Sequence, residues 1–411
     1  MAERPLHYGD RIAVDQQEGG GSPAVIYPGN GVAVSILVVA ALFVLTQLYA
    51  AIPLLGPVGI SMGADATFAL STCFSVTYAV GFLIWGPISD RYGRKKVMTA
   101  SIGVLAVATL LCSGASSLPI LAGLRALQGA AASGFAPVAL AYLTEAVAPR
   151  WRARAIGAMS AAFLVAGIFG QVLASTIALR ASWSWFFVAC GVVLAMIFTI
   201  ILFSVVEVPN HTPSMTLLQQ FGNLVGLLFR PEIVLLGIAH ITLLLSFVAL
   251  YTGLGHHLED LHVAASNIIL IRLDALPAMF ISLGVGALAE RIGAIRVAQV
   301  GFGLAAVGML GGTFTAQKIS GVVASSIVYV SGVALSIPSM IMLYGETAAP
   351  HRGSGMAING FVLFVGASIG ALVGKAIGGF GTLTLTLVAL LGIAAISLLA
   401  LGAIQRKDSS S

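Results

Sequence analysis

The chain has 411 residues, 58% of them hydrophobic and only 9% charged, with a mean hydropathy of +1.02 and a formal net charge of +5. That balance lies far outside the range of soluble globular domains and marks an integral membrane protein. The apolar runs are continuous, without the alternation a spanning barrel needs. There is no Walker G-x-x-x-x-G-K-[ST] loop, no nucleophile and base constellation and no H-E-x-x-H helix, which disfavours ATP-driven transport and an intramembrane enzyme.

In chain order, residues 1–31 are polar and rich in Gly and Pro and read as a flexible tail with no cleaved signal. Twelve helices follow, at 32–54, 67–88, 97–116, 119–143, 154–178, 183–205, 233–255, 264–288, 297–315, 319–343, 354–378 and 380–404, each long enough to span a bilayer. Residues 206–232 form a linker with one amphipathic stretch between two six-helix halves, 32–205 and 233–404, and 405–411 form a second tail. With both termini on one side, that side and its loops carry fifteen of the 20 Lys and Arg residues, against Arg180 and Lys318 on the other. The positive-inside rule therefore places both termini in the cytoplasm. Trp85, Trp151, Trp183 and Trp185 all sit near helix ends, where interfacial rings belong. The cysteines Cys73, Cys112 and Cys190 fall in apolar runs without metal-ligand spacing.

A shift of 200 residues sets Gly86, Asp90, Arg91, Gly93, Lys96 and Val97 against Gly286, Glu290, Arg291, Gly293, Arg296 and Val297. A shift of 201 pairs Pro137, Glu145, Ala148 and Pro149 with Pro338, Glu346, Ala349 and Pro350. The halves thus read as parallel repeats.

The twelve-helix layout and the loop motif G-x-x-x-D-R-x-G-R-K, here Gly86, Asp90, Arg91, Gly93, Arg94 and Lys95, resemble the major facilitator superfamily of secondary transporters over about residues 32 to 404. The segment Leu124 to Gly157, with Arg125 and Gly129, resembles the Arg-x-x-x-Gly signature of proton-coupled members. Gly157, Gly167 and Gly170 are similar in part to the glycine-rich signature of drug antiporters, but its Gly-Pro pair is missing. The resemblance implies an all-α fold of two pseudo-symmetric six-helix bundles. It also implies a loop that locks the halves together on the cytoplasmic side, a role carried here by Gly86, Asp90, Arg91, Gly93 and Arg94, with Gly286, Glu290, Arg291 and Gly293 as its second-half repeat.

The residues of the loop support that role physically. Asp90 is an acceptor-only carboxylate that needs partners; Arg91, Arg94, Arg152 or Arg154 and the amino end of the eleventh helix near Ser354 and Gly355 are the candidates. Gly86 and Gly93 are expected to permit tight turns and close helix approach. The alternative is that these charges only enforce topology, which suffices for Arg94, Lys95 and Lys96 but leaves the acid without a purpose.

Ionisable side chains inside spans are functional candidates by default. Arg125 lies about 10 Å into the fourth helix and, because that helix lines the central cavity in the family, is expected to face water or substrate; the alternative is an arginine neutralised by carbonyls and Gln128. Arg272 and Asp274 lie about 12 and 15 Å below the outer end of the eighth helix. Asp274 is the leading proton carrier, or else a structural partner of an arginine. His240, about 11 Å into the seventh helix, is a second proton candidate or a histidine bonded to a carbonyl. Lys375 is expected to snorkel to the outer interface, and His256, His257, Glu259, Asp260 and His262 to form a solvated loop without a metal. Gln47, Tyr49, Tyr251 and Asn359 are candidate hydrogen bonders to cargo.

The expectation is a monomeric secondary transporter in a bacterial inner membrane, using the proton gradient and no cofactor. Its partners are a small-molecule substrate and the lipid bilayer, with no nucleic acid. Proton-coupled export of a drug-like or sugar-related solute by alternating access is the first reading; a proton symporter or facilitative importer is the second.

Overall fold

The computed structural model describes residues 30–207, 217–349 and 351–408. Among them, twelve helices are long and apolar enough to cross a membrane: Gly31–Tyr49, Phe68–Tyr92, Arg94–Cys112, Leu118–Ala146, Arg154–Arg180, Trp183–Ser204, Pro231–Asp260, Ser266–Ile292, Ala294–Thr315, Ile319–Thr347, Gly353–Ala376 and Phe380–Gln405. They are called the first to twelfth spans in that order. The protein is a multi-pass membrane protein.

Prolines set where the spans bend, because each removes a backbone donor from the helical ladder. The first span stops at Tyr49, and a second helix, Ala51–Met62, carries the chain beyond the expected end at residue 54, with Pro53 in its first turn and Pro57 inside. The fourth span breaks at Ser133 to Phe135, just ahead of Pro137. The eighth is broken after Asp274, ahead of Pro277, and runs through a short 3-10 turn at Phe280–Gly284. The second opens with a π-helical turn at Phe68–Thr72.

Packing repeats between the halves. The first span lies on the fifth and sixth, the second on the fourth, and the third on the fourth and sixth; the seventh lies on the eleventh and twelfth, the eighth on the tenth, and the ninth on the tenth and twelfth. Each pairing in the first half thus has its counterpart six spans later, giving two pseudo-symmetric six-helix bundles. Close approach of backbones depends on small residues. At the contact of the ninth and tenth spans, a Cβ on Gly332 would lie 2.3 Å from the Ala305 amide nitrogen, so only glycine fits there.

The bundles meet along three seams: the second span on the eleventh, the fifth on the eighth, and the Ala51–Met62 helix on the seventh. The end of the molecule that carries the Asp90 loop is the basic end. Near mid-depth the first seam is aromatic, with Tyr78 and Phe364 ring centroids 4.3 Å apart. The opposite end is tied by polar contacts. Lys375 of the eleventh span forms an ion pair with Asp65, which lies between the first and second spans, and Arg272 of the eighth donates to Ser175 Oγ of the fifth at 2.9 Å. The fifth span packs on Ala265–Asp274, Leu276–Met279 and the 3-10 turn, whereas the basic-end piece Val285–Ile292 packs on the ninth and tenth spans of its own half. The bundles are therefore closed at the opposite end and diverge along this seam toward the basic end.

Candidate functional site

The basic-end loop is built on Gly93, which ends the second span and starts the third with φ +104°, a left-handed value that favours glycine. Gly293 repeats the feature at φ +88°. Gly86 does not serve a turn as expected: it lies inside the helix, and no described atom comes within 4 Å of where its Cβ would stand. Gly286 is likewise helical with open space around it.

Asp90 pairs with Arg94 one turn on. Arg94 also donates to Glu145 of the fourth span, at 3.0 Å from Nη2, and to Ser89 Oγ. Among the described residues, the partners of Asp90 and Arg94 all belong to the first half. Among the described residues, the expected contact to the amino end of the eleventh span near Ser354 and Gly355 is not made in this conformation. Arg91, Glu290 and Arg291 stand exposed. Arg152 is a residue whose side chain is outside the described set.

Between the bundles at mid-depth lies a narrow cleft with a cavity volume of about 10 Å³, lined by residues of both halves, including Tyr49, Gly167, Phe247, Met279 and Val333. Tyr49 and Phe247 meet edge to face, with centroids 5.6 Å apart. Tyr49 carries the only side-chain polar group among the lining residues. In this conformation that space has room for about one water and no cargo-sized molecule, and its walls are apolar.

The buried cations lie away from this cleft. Arg125 is 1% exposed and does not face water. Its Nε donates to the Leu70 carbonyl at 2.8 Å, Nη2 to the Gln47 carbonyl and Nη1 to Gln128 Oε1, both at 2.9 Å, and the guanidinium lies 4.4 Å from the Phe74 ring centroid. Gln128 is fixed in turn by Thr109 Oγ1 at 2.7 Å. The two carbonyls come from places where regular helix is interrupted, the π-turn of the second span and the end of the first. The carbonyl-neutralised alternative describes this arginine. Arg272, also buried, is spent on the Ser175 contact. Asp274 sits on an exposed face of the eighth span with Leu270 and Leu273, outside the cleft.

His240 is fully buried, with its Nε2 3.0 Å from Asn359 Nδ2, so these two candidates bond each other rather than open to the cleft. His240 Nδ1 and the nearby Tyr344 hydroxyl have no partner among the described atoms. Gln47 is buried, its Nε2 bonded to the Phe43 carbonyl. Tyr251 bonds Ser326 at 3.0 Å within the second half. His256 pairs with Glu259 at 3.8 Å, and His257 lies 2.9 Å from the Ala316 carbonyl.

The model of the Major Facilitator Superfamily matches residues 37–333. The chain belongs to that family. This superfamily member is similar to an uncharacterized transporter of Buchnera aphidicola subsp. Schizaphis graminum, 27% identical over 249 residues and 60% of each chain. It is similar also to the uncharacterized MFS-type transporter YybF of Bacillus subtilis, 26% identical over 320 residues, 74% of this chain and 77% of that protein. The match spans about 60% of the Buchnera protein's length. Its fold is that of the human organic anion transporter MFSD10 (TETRAN), with a TM-score of 0.69 at 15% identity over 90% of this chain and all of that one.

Several residues that shape the superfamily member's site escaped the sequence reading. Glu145 carried a signal, since it recurs as Glu346 in the repeat, but its partner Arg94 lies 51 residues away. Phe247, Phe364 and Met279 carried none, being apolar residues in apolar helices. Lys375 was expected to snorkel; instead it crosses the seam to Asp65.

Proposed function

We propose that this transporter exports a small organic solute from a bacterial cytoplasm by alternating access, with protons moving in exchange. In this reading the basic end is cytoplasmic, both termini lie there, and the membrane is the inner one. The observation that carries it is the mid-depth cleft: both bundles line it, and among the described residues the polar contacts between them lie at the end away from the basic loop. A rocking motion that breaks those contacts and brings the Asp90 loop against the second half would turn the cleft to the other side.

An apolar cleft with one hydroxyl suits a drug-like solute better than a sugar, whose hydroxyls would each need a partner once desolvated. MFSD10 is named an organic anion transporter, but here Arg125 and Arg272 are bonded elsewhere and neither lines the cleft. Proton exchange draws its support from the Arg125 to Gly129 segment and from Asp274. A second reading, movement of solute down its own gradient, is favoured by one fact: no carboxylate among the described residues lines the cleft.

The test is uptake into inverted and right-side-out vesicles across a panel of neutral lipophilic compounds, sugars and organic anions, with and without a pH gradient. Accumulation in inverted vesicles that collapses with the gradient supports proton-driven export. Gradient-independent equilibration supports the second reading, and no saturable movement of any compound would count against both.

A further inference from the structure

We propose that Glu207, the first residue after the sixth span with a charge, is a positioning residue of the Asp90 loop: its carboxylate staples the start of the interbundle linker to the beginning of the third span. Glu207 Oε1 accepts from the Lys95 amide at 2.9 Å, and Oε2 accepts from the Lys96 amide at 3.2 Å. These amides are orphan donors of the third span's first turn, and a carboxylate there is held by charge-assisted bonds and by the positive end of the helix. The residue before is held as well, with the Tyr142 hydroxyl of the fourth span donating to the Val206 carbonyl at 3.0 Å.

The same carboxylate accounts for Gly93 beyond its backbone angle. A Cβ at Gly93 would meet three atoms first, and all three are the Glu207 carboxyl, at 2.8, 3.0 and 3.2 Å. The space left by the missing side chain is the space the staple occupies. Tyr142 lies one helical turn before Glu145, and Lys95 follows Arg94 directly, so both anchors of the linker adjoin the Asp90, Arg94 and Glu145 cluster. Any pull on the linker as the bundles rock is delivered to that cluster.

The second-half loop is not built this way. Gly293 has the same left-handed backbone, yet no described atom lies within 4 Å of its Cβ position. Among the described residues, the staple is seen in the first half, the half whose end leads into the linker.

The inference rests on alternating access, and its test separates the two. Spin labels on Thr144→Cys and Glu346→Cys, at the basic ends of the fourth and tenth spans, report the distance between bundles by pulsed electron resonance in the full chain with Cys73→Ala. Hydrogen exchange reports the Lys95 and Lys96 amides in the same protein. With Glu207→Ala, exchange at those two amides should rise at least tenfold and the short-distance, basic-end-closed population should fall at least fivefold. Glu207→Gln, which keeps an acceptor, should fall between, and Glu207→Asp should restore part of the closed population. Faster exchange with an unchanged distance distribution would reduce Glu207 to a local cap and overturn the proposal, as would unchanged exchange. Should Glu207→Ala not fold, the Glu207→Gln and Glu207→Asp pair decides by the same criteria. A single distance population in every variant, the unsubstituted chain included, would instead sink alternating access.

Discussion

Asp65 and Lys375 form an ion pair that ties the loop after the first span to the eleventh span, joining the two halves at the end farthest from Asp90. Asp65 also accepts from the Thr67 amide at 3.0 Å and the Thr67 hydroxyl at 2.7 Å. Partial burial by itself raises the Asp65 carboxyl, but the bonds from Lys375 and Thr67 outweigh it and hold the group below its ordinary value. A depressed carboxylate stabilises the paired state above its unpaired value of about 4 and loses that contribution as pH falls through the depressed one. Acidifying this face below about pH 4 should therefore raise the labelling of a cysteine at Ser175→Cys, and Asp65→Asn should abolish the acid-dependent increment. Both side chains are half-exposed, so the energy is modest and screened by salt. The double exchange Asp65→Lys with Lys375→Asp should recover part of the low labelling that each single reversal loses.

Arg125 is enclosed by the Leu70 and Gln47 carbonyls and by Gln128 Oε1, which also accepts from Cys112 Sγ at 3.3 Å. Truncation to Ala would leave two buried carbonyls and Gln128 Oε1 without their charged partner, at a cost on the order of 3 kcal/mol or more. Arg125→Lys keeps the charge but not the planar fork that reaches three acceptors at once, so it should recover less than half of that loss. Thermal unfolding of the purified protein in one detergent measures both, and full stability of Arg125→Ala would contradict the enclosure.

The cleft variants separate packing from recognition. Val333→Trp fills the space between the bundles and should cut transport at least tenfold, while Tyr49→Phe keeps the ring against Phe247 and removes only the hydroxyl. The second change should weaken the apparent affinity for hydrogen-bonding cargo by about fivefold to tenfold, the worth of one neutral hydrogen bond of about 1 kcal/mol. Concentration dependence of uptake distinguishes the two, since blockage lowers the maximal rate and lost recognition raises the half-saturation concentration.

Asp274 gives the sharpest test of proton exchange. If it carries the proton, Asp274→Asn should remove the pH-gradient dependence of uptake and leave exchange down the solute's own gradient. Persistent gradient-driven accumulation in the Asn variant would take Asp274 out of the mechanism. Its place on an exposed face, away from Arg272's bond to Ser175, means the substitution breaks no polar contact among the described residues in this conformation.

Gly360 lets the second and eleventh spans approach. A Cβ there would fall 1.9 Å from the Phe82 ring, so Gly360→Val should destabilise the closed seam by about 1–3 kcal/mol. The loss should be smaller in a Phe82→Ala background, read by the same thermal unfolding.

Hydropathy and charge determined the class of this protein before any contact was known. Twelve apolar runs dictate twelve spanning helices because an unpaired backbone cannot cross lipid, and the repeated acid, arginine and glycine order revealed two like halves. Gly93 was legible too, since a glycine between two helices needs no tertiary contact to take a left-handed turn. What the residues could not disclose was who meets whom. Arg125 and Asp274 looked alike as charges within spans, and only packing separated them, one closed in by interrupted-helix carbonyls and the other left on an exposed face. Lys375 read as an interfacial charge and Glu207 only as part of the linker, yet Glu207 meets amides 112 and 111 residues away and Lys375 meets Asp65 of the other half. Local pattern reports which groups must be satisfied; only the assembly of helices decides which groups satisfy them.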